Sequence, residues 1–118
     1  MKPKIRPGRN IALKIPPHQY NETVAFYRDI LQLPQLPSED KSIGFDFDGK
    51  HLWLDKVNTI SHAEMWLEIC ADDLDQAARY FESAGVIRRD EIEQLPPLFK
   101  GFWIASPSGQ IHLVSNGS

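Results

Sequence analysis

Asn10-Ile11-Ala12-Leu13-Lys14-Ile15 alternates apolar and polar residues, and Glu64-Met65-Trp66-Leu67-Glu68-Ile69 does the same 54 residues later. A period of two marks a half-buried strand. The aromatic pair Phe26-Tyr27 recurs at the same offset as Tyr80-Phe81, and each half carries a glycine turn further on, Asp48-Gly49 and Ser108-Gly109. Two copies of one supersecondary unit are therefore expected within the chain. Related units in one chain commonly bound a cavity that takes a small molecule.

Working outward from the first strand, Pro16-Pro17 ends it, and a helix is expected from about Tyr20 to Leu33. Its apolar stripe is Tyr20, Val24, Tyr27 and Leu31, widened by Ile30. Pro34 and Pro37 forbid more helix, so any strand around Leu36 is short or at an edge. Ile43–Phe47 and Lys50–Asp55 flank Asp48-Gly49, a two-residue hairpin signal. That turn sets Phe45 opposite Leu52 and Ile43 opposite Leu54 on an apolar face. Asp46 falls opposite His51, and Gly44 opposite Trp53, on the other face. Asp46 and His51 read as an ordinary cross-strand pair.

In the second half, Met65, Leu67 and Ile69 oppose Glu64, Trp66 and Glu68. Asp73-Leu74-Asp75-Gln76 has capping-box spacing, and Gly85 is a suitable helix stop. Residues 86–93 could form a strand. A last hairpin runs from about Phe102 to Val114. Alternation groups Phe102, Ile104, Ile111 and Leu113 on one face, and Trp103, Ala105, Gln110 and His112 on the other. Module one is thus 8–56, the linker 57–63 and module two 64–116, all within one domain.

Composition sets outer bounds. The 118 residues suffice for one core-bearing domain, 42% are hydrophobic and 25% charged, and the net charge of −3 gives no nucleic-acid footprint. Lys2, Lys4, Arg6 and Arg9 read as a solvated tail. The single cysteine, Cys70, rules out an intramolecular disulfide and reads as a small buried apolar residue. His18 and His62 read as solvated loop residues. No apolar run reaches membrane-spanning length and no secretory signal is evident, so a cytoplasmic protein without membrane partners is expected.

Three stretches carry a family resemblance: Asn10–Ile15 running into Thr23–Leu31, Glu64–Gly85, and Gly101–Leu113. Together they resemble the vicinal oxygen chelate superfamily, which includes glyoxalase I, bleomycin-resistance proteins, fosfomycin-resistance enzymes and extradiol dioxygenases. The resemblance implies an α+β fold of two βαβββ modules forming a curved mixed sheet around a cleft. It also implies a divalent metal, where one is held, bound by side chains on the first and last strands of both modules. Lyase, isomerase or dioxygenase chemistry on an oxygen-bearing substrate would follow.

Carried over by position, the first-strand histidine of module one falls at Asn10, and its module-two partner falls at Glu64, which can ligate. The closing-strand acid lies four residues after the turn glycine, giving Trp53 and Leu113, neither of which binds metals. That offset aims Leu113 into the cleft, whereas alternation aims His112 there; the alternation is preferred because it leaves no core face polar. Glu64 and His112 are then the metal-ligand pair, with Glu64 the catalytic candidate. Module one adds only Asn10, His51 or Asp55, none matching both position and type. The ligand-binding set is Asn10, Trp53, Trp66, Trp103 and His112, the three tryptophans supplying flat apolar walls.

Three functions follow as expectations. The first is a glyoxalase/bleomycin-resistance-like protein binding a small organic molecule in a tryptophan-lined cleft, as a homodimer, with metal-dependent catalysis if the ion is held. The alternative is a non-catalytic protein that sequesters an aromatic or drug-like molecule. The third is assembly through the tryptophan surface.

Overall fold

The computed structural model describes residues 2–38 and 40–117. It is an α+β fold of seven strands and two α-helices, with parallel and antiparallel pairings. Contacts divide the chain into two compact units, Arg9–Trp66 and a second made of the N-terminal residues through Gly8 with the segment from Leu67 onward.

The first unit contains most of β1 (Ile5–Ile15), then α1 (Pro17–Ala25), β2 (Ile43–Phe47) and β3 (Lys50–Lys56), in the strand order β2-β3-β1. Pro16-Pro17 does more than end the strand. Pro17 occupies the first helical turn, where a missing N–H costs nothing, so α1 starts three residues before the expected Tyr20. The helix then widens into a π-helical turn over Phe26–Ile30, closed by the Leu31 N–H on the Phe26 carbonyl at 2.9 Å. One extra residue in this turn rotates the positions beyond it. Tyr20, Val24 and Tyr27 still pack on the core of Ile15, Phe45 and Leu54, but Ile30 and Leu31 leave the stripe and are exposed.

The Asp48-Gly49 turn holds both residues at positive φ, 53° and 86°, and gives the expected register of Ile43 with Leu54, Gly44 with Trp53, Phe45 with Leu52 and Asp46 with His51. β1 runs parallel to β3, pairing Asn10 with His51, Ala12 with Trp53 and Lys14 with Asp55. The 34–36 segment bonds along β2 as a single bridge, Gln35 to Phe45, which is the short edge contact two prolines permit.

The second unit holds β4 (Glu64–Ala71, its first three residues in the other unit), α2 (Leu74–Ser83), β5 (Ile87–Arg88), β6 (Gly101–Ala105) and β7 (Ile111–Ser115), in the order β4-β7-β6-β5. The Asp73 carboxylate caps α2 by accepting from the Gln76 N–H at 2.9 Å. At the other end, Val86 N–H bonds the Phe81 carbonyl and Gly85 N–H the Glu82 carbonyl, with Gly85 at φ 78°. This is the Schellman closure that glycine permits. α2 packs Ala77 and Phe81 on Ala71, Phe102, Ile104 and Val114. Of residues 86–93, only Ile87–Arg88 form a strand. The basic N-terminal segment is not wholly a tail: β1 begins at Ile5, and Arg6 pairs with Asp72 at 2.8 Å. Cys70 is buried, as expected.

The last hairpin departs from the expected faces. Its register pairs Phe102 with Val114, Trp103 with Leu113, Ile104 with His112 and Ala105 with Ile111. Directly opposed residues share a face. His112 therefore lies with Ile104 and Val114 on the α2 side, and Leu113 lies with Trp103 on the other. The cause is the turn. Gly109 N–H bonds the Ser106 carbonyl, and Ser106 N–H bonds the Gln110 carbonyl, enclosing three residues rather than two. An odd loop reverses the parity that alternation assumes.

Candidate functional site

The site is built on the face of the first unit opposite α1. Strand alternation that sends Leu52 and Leu54 to the core turns His51, Trp53 and Asp55 the other way, beside Asn10, Ala12 and Lys14 of β1. Two bonds organise this face. The Trp53 indole N–H donates to Asn10 Oδ1 at 2.9 Å, and Lys14 Nζ meets Asp55 Oδ2 at 2.8 Å. Lys14 is 3% exposed and lies 4.5 Å above the Trp66 ring, a cation–π contact. Trp66 Nε1 in turn donates to Glu64 Oε1 at 3.4 Å.

Trp53 is held from three sides. Asn10 takes its N–H, the His51 ring meets it edge-on at 6.2 Å, and Gly44 lies beneath it. A Cβ at Gly44 would come within 2.4 Å of Trp53 Cε3, so the indole occupies the space that any other residue would fill. Half-buried in this way, Trp53 forms one wall of a pocket of about 600 Å³, lined among the described residues by Ser38, Asp40 and Ser42 as well. Asp40 Oδ1 accepts from the Ser38 hydroxyl at 2.7 Å and from the Ser42 N–H at 2.8 Å. These bonds, the Ser38 hydroxyl foremost, lower the Asp40 pKa to about 2. The carboxylate is ionised at any physiological pH.

The other two tryptophans are not open walls. Trp66 is 6% exposed and Trp103 5% exposed. Trp103 is covered by the chain after β5: its indole N–H donates to the Glu93 carbonyl at 2.9 Å, and its backbone N–H to Asp90 Oδ1 at 3.0 Å. His112 donates from Nδ1–H to the Gln110 carbonyl, 3.0 Å away, on the α2 side. Asp46 and His51 are register partners, but the Asp46 carboxylate turns to the hairpin and accepts from Gly49 N–H at 2.9 Å. His18 lies inside α1 and His62 in the linker, both exposed. Residues 38–42 carry no strand or helix pattern in the sequence. Their only signal is Ser-x-Asp-x-Ser, a spacing in which hydroxyls can fold onto a central carboxylate.

Register also revises the strand correspondence. In the first unit Ala12 pairs with Trp53; in the second, Glu68 pairs with Leu113. The closing strands are offset by 60 and the opening strands therefore by 56, so the counterpart of Asn10 is Trp66 rather than Glu64. The four first-strand and closing-strand positions are thus Asn10, Trp53, Trp66 and Leu113. They offer one amide, already bonded to an indole, and three side chains with no donor atom for a divalent ion. Among the described residues no three His, Cys, Asp or Glu side chains are grouped to hold a metal. The residues present do not fit the ion that the family resemblance implies.

No helix among the described residues is long and apolar enough to cross a membrane. No family model matches the sequence, and no curated protein does. Solved structures do. A Mn(II)-bound glyoxalase from Novosphingobium aromaticivorans superposes with a TM-score of 0.69 at 20% identity, over 99% of this chain and 41% of that one. A hypothetical protein from Bacillus halodurans gives 0.68 at 13% identity, over 95% of this chain and 94% of that one. Homoprotocatechuate 2,3-dioxygenase from Arthrobacter globiformis gives 0.63 at 16% identity, over 98% and 37%. The chain thus spans about two fifths of the length of either enzyme. At such identities the likeness establishes the fold alone, the one this chain shares with the superposed parts of the glyoxalase and the dioxygenase.

Proposed function

We propose that this chain is a small-molecule binding protein that captures a flat organic ligand against Trp53, without a divalent ion. The observation that carries this reading is the pocket wall itself: an indole held in place by Asn10, Gly44 and His51, facing a volume within the range of small-molecule sites. Aromatic residues whose rotamers are locked before binding lose little entropy on binding, which favours capture. Between catalysis and sequestration, the donor set favours sequestration. Asn10, Trp53, Trp66 and Leu113 supply neither an imidazole nor a carboxylate at the positions that need them.

Indole N–H resonances of the three tryptophans separate this reading from its rivals. Titration with a panel of bicyclic aromatics should move the Trp53 signal and leave those of buried Trp66 and Trp103 nearly still. Trp53→Ala should remove binding with the fold intact by circular dichroism. Ni, Zn, Mn and Fe ions should leave Tm and all three resonances unchanged. A stoichiometric metal response, or binding that survives Trp53→Ala, would refute the proposal.

We also propose that the chain is a homodimer, because the π-helical turn leaves Phe26, Ile30 and Leu31 exposed together at the end of α1. A monomer mass by light scattering at high protein concentration would remove this reading.

A further inference from the structure

The pocket beside Trp53 has a chemical bias beyond flatness. The side-chain donors of the described lining residues already direct their hydrogens elsewhere. The Ser38 hydroxyl and the Ser42 N–H donate to Asp40 Oδ1, the Ser42 hydroxyl also bonds Asp40, and the Trp53 N–H donates to Asn10. The lining residues therefore present acceptor character to the pocket: a carboxylate, hydroxyl lone pairs and the electron-rich face of an indole. Among the described residues that line it, none is a lysine, arginine or histidine. An anionic ligand would find no counter-charge from these walls. A neutral ring would gain stacking alone. A planar cation would gain stacking, the attraction of the indole face and the carboxylate together.

Building on the binding reading above, we infer that the ligand is a planar organic cation, a protonated amine or amidine on an aromatic ring or a quaternised heteroaromatic, with its ring on Trp53 and its charge toward Asp40. The Ser38 and Ser42 bonds hold the carboxylate in one orientation before the ligand arrives, so little is lost in ordering it. The exposure of Asp40 means that salt screens the attraction.

The test uses three probes of matched ring size, N-methylquinolinium, quinoline and naphthoate, read by calorimetry and by the Trp53 indole resonance. N-methylquinolinium should bind roughly fivefold to tenfold more tightly than quinoline, with naphthoate weakest. Asp40→Asn should cut the cation's advantage over quinoline to the smaller part that the indole face supplies and leave quinoline unchanged. Raising salt should reduce the cation's advantage in the native protein and not in the variant. Equal binding of all three probes, or a cation preference that Asp40→Asn does not reduce, overturns the charge assignment while the flat-ligand pocket stands. If no probe moves the Trp53 resonance, the pocket reading falls and this inference with it. Tripeptides bearing lysine or arginine serve as a last arm; affinity for these above N-methylquinolinium would overturn the small planar cation in favour of a peptide side chain.

Discussion

Gly44→Ala is the most informative single change, because it separates the shape of the pocket from the stability of the fold. The new Cβ would lie 2.4 Å from Trp53 Cε3 and 2.6 Å from Cζ3. Comfortable carbon contacts need about 3.5 Å, so the ring must move by about 1 Å. The ring is tied at its other side by the 2.9 Å bond to Asn10, and a displacement of that size stretches this bond beyond useful length. Losing it costs about 1 kcal/mol. Replacing a strand glycine by alanine returns roughly 0.5–1 kcal/mol of backbone entropy. The two nearly cancel, so Tm should change little. Affinity should not be spared, since the stacking wall has shifted: an aromatic contact is worth about 0.5–1.5 kcal/mol, a loss of roughly twofold to tenfold. Calorimetry with N-methylquinolinium and the Trp53 indole resonance measure both sides. In a Trp53→Ala background the new Cβ meets no ring, so the same Gly44→Ala change should raise Tm instead of leaving it level, the non-additivity that direct contact requires. If Gly44→Ala leaves both affinity and the indole resonance unchanged, the indole is not positioned by this contact and the reasoning fails.

Other outcomes depend on single contacts. Asp73→Ala removes the α2 cap and should lower stability by about 1 kcal/mol in urea unfolding, with Asp73→Ser restoring most of it. Lys14→Met leaves Asp55 without its 2.8 Å partner; because Asp55 is about one-third exposed, the cost should be about 2 kcal/mol rather than the larger loss of a fully buried pair. The double change Lys14→Met with Asp55→Leu should recover much of it, and failure to recover would mean that Lys14 acts chiefly through Trp66. Asp40 has a folded pKa lowered to about 2, so in the folded protein its charge is kept until pH falls toward about 2. The preference for a cationic probe should therefore stay flat from pH 8 down to pH 4, and a carboxylate titration near the ordinary value would contradict the Ser38 and Ser42 bonds.

Local signals carry far into this structure. Asp48-Gly49 specifies a two-residue turn, and that turn alone determines five pairings of β2 with β3. Asp73 and Gly85 mark both ends of α2, because capping depends on residues within a few positions of one another. Expectation and structure part where the deciding quantity is not local in the same way. Ser106–Gln110 could close as an even or an odd loop, and the choice places Leu113, not His112, beside Trp103. The matching strands Asn10–Ile15 and Glu64–Ile69 look aligned at 54, yet pairing with β3 and β7 aligns them at 56. A two-residue slip preserves every inward and outward side chain, so alternation cannot detect it. The π-helical turn is equally invisible, since it changes the periodicity that would be used to find it.

By itself, then, the chain's order of residues determined the paired modules, the apolar faces and the presence of Trp53 opposite Gly44, all of which rest on short-range spacing. Only the tertiary structure decided which tryptophan remains open. Trp66 and Trp103 have the same alternation as Trp53, but Lys14 lies over one and the chain around Asp90 and Glu93 covers the other. Asp40 reached the pocket in the same way, brought to Trp53 by a loop with no periodicity to read. Burial depends on what distant segments do, and no spacing within a strand records that.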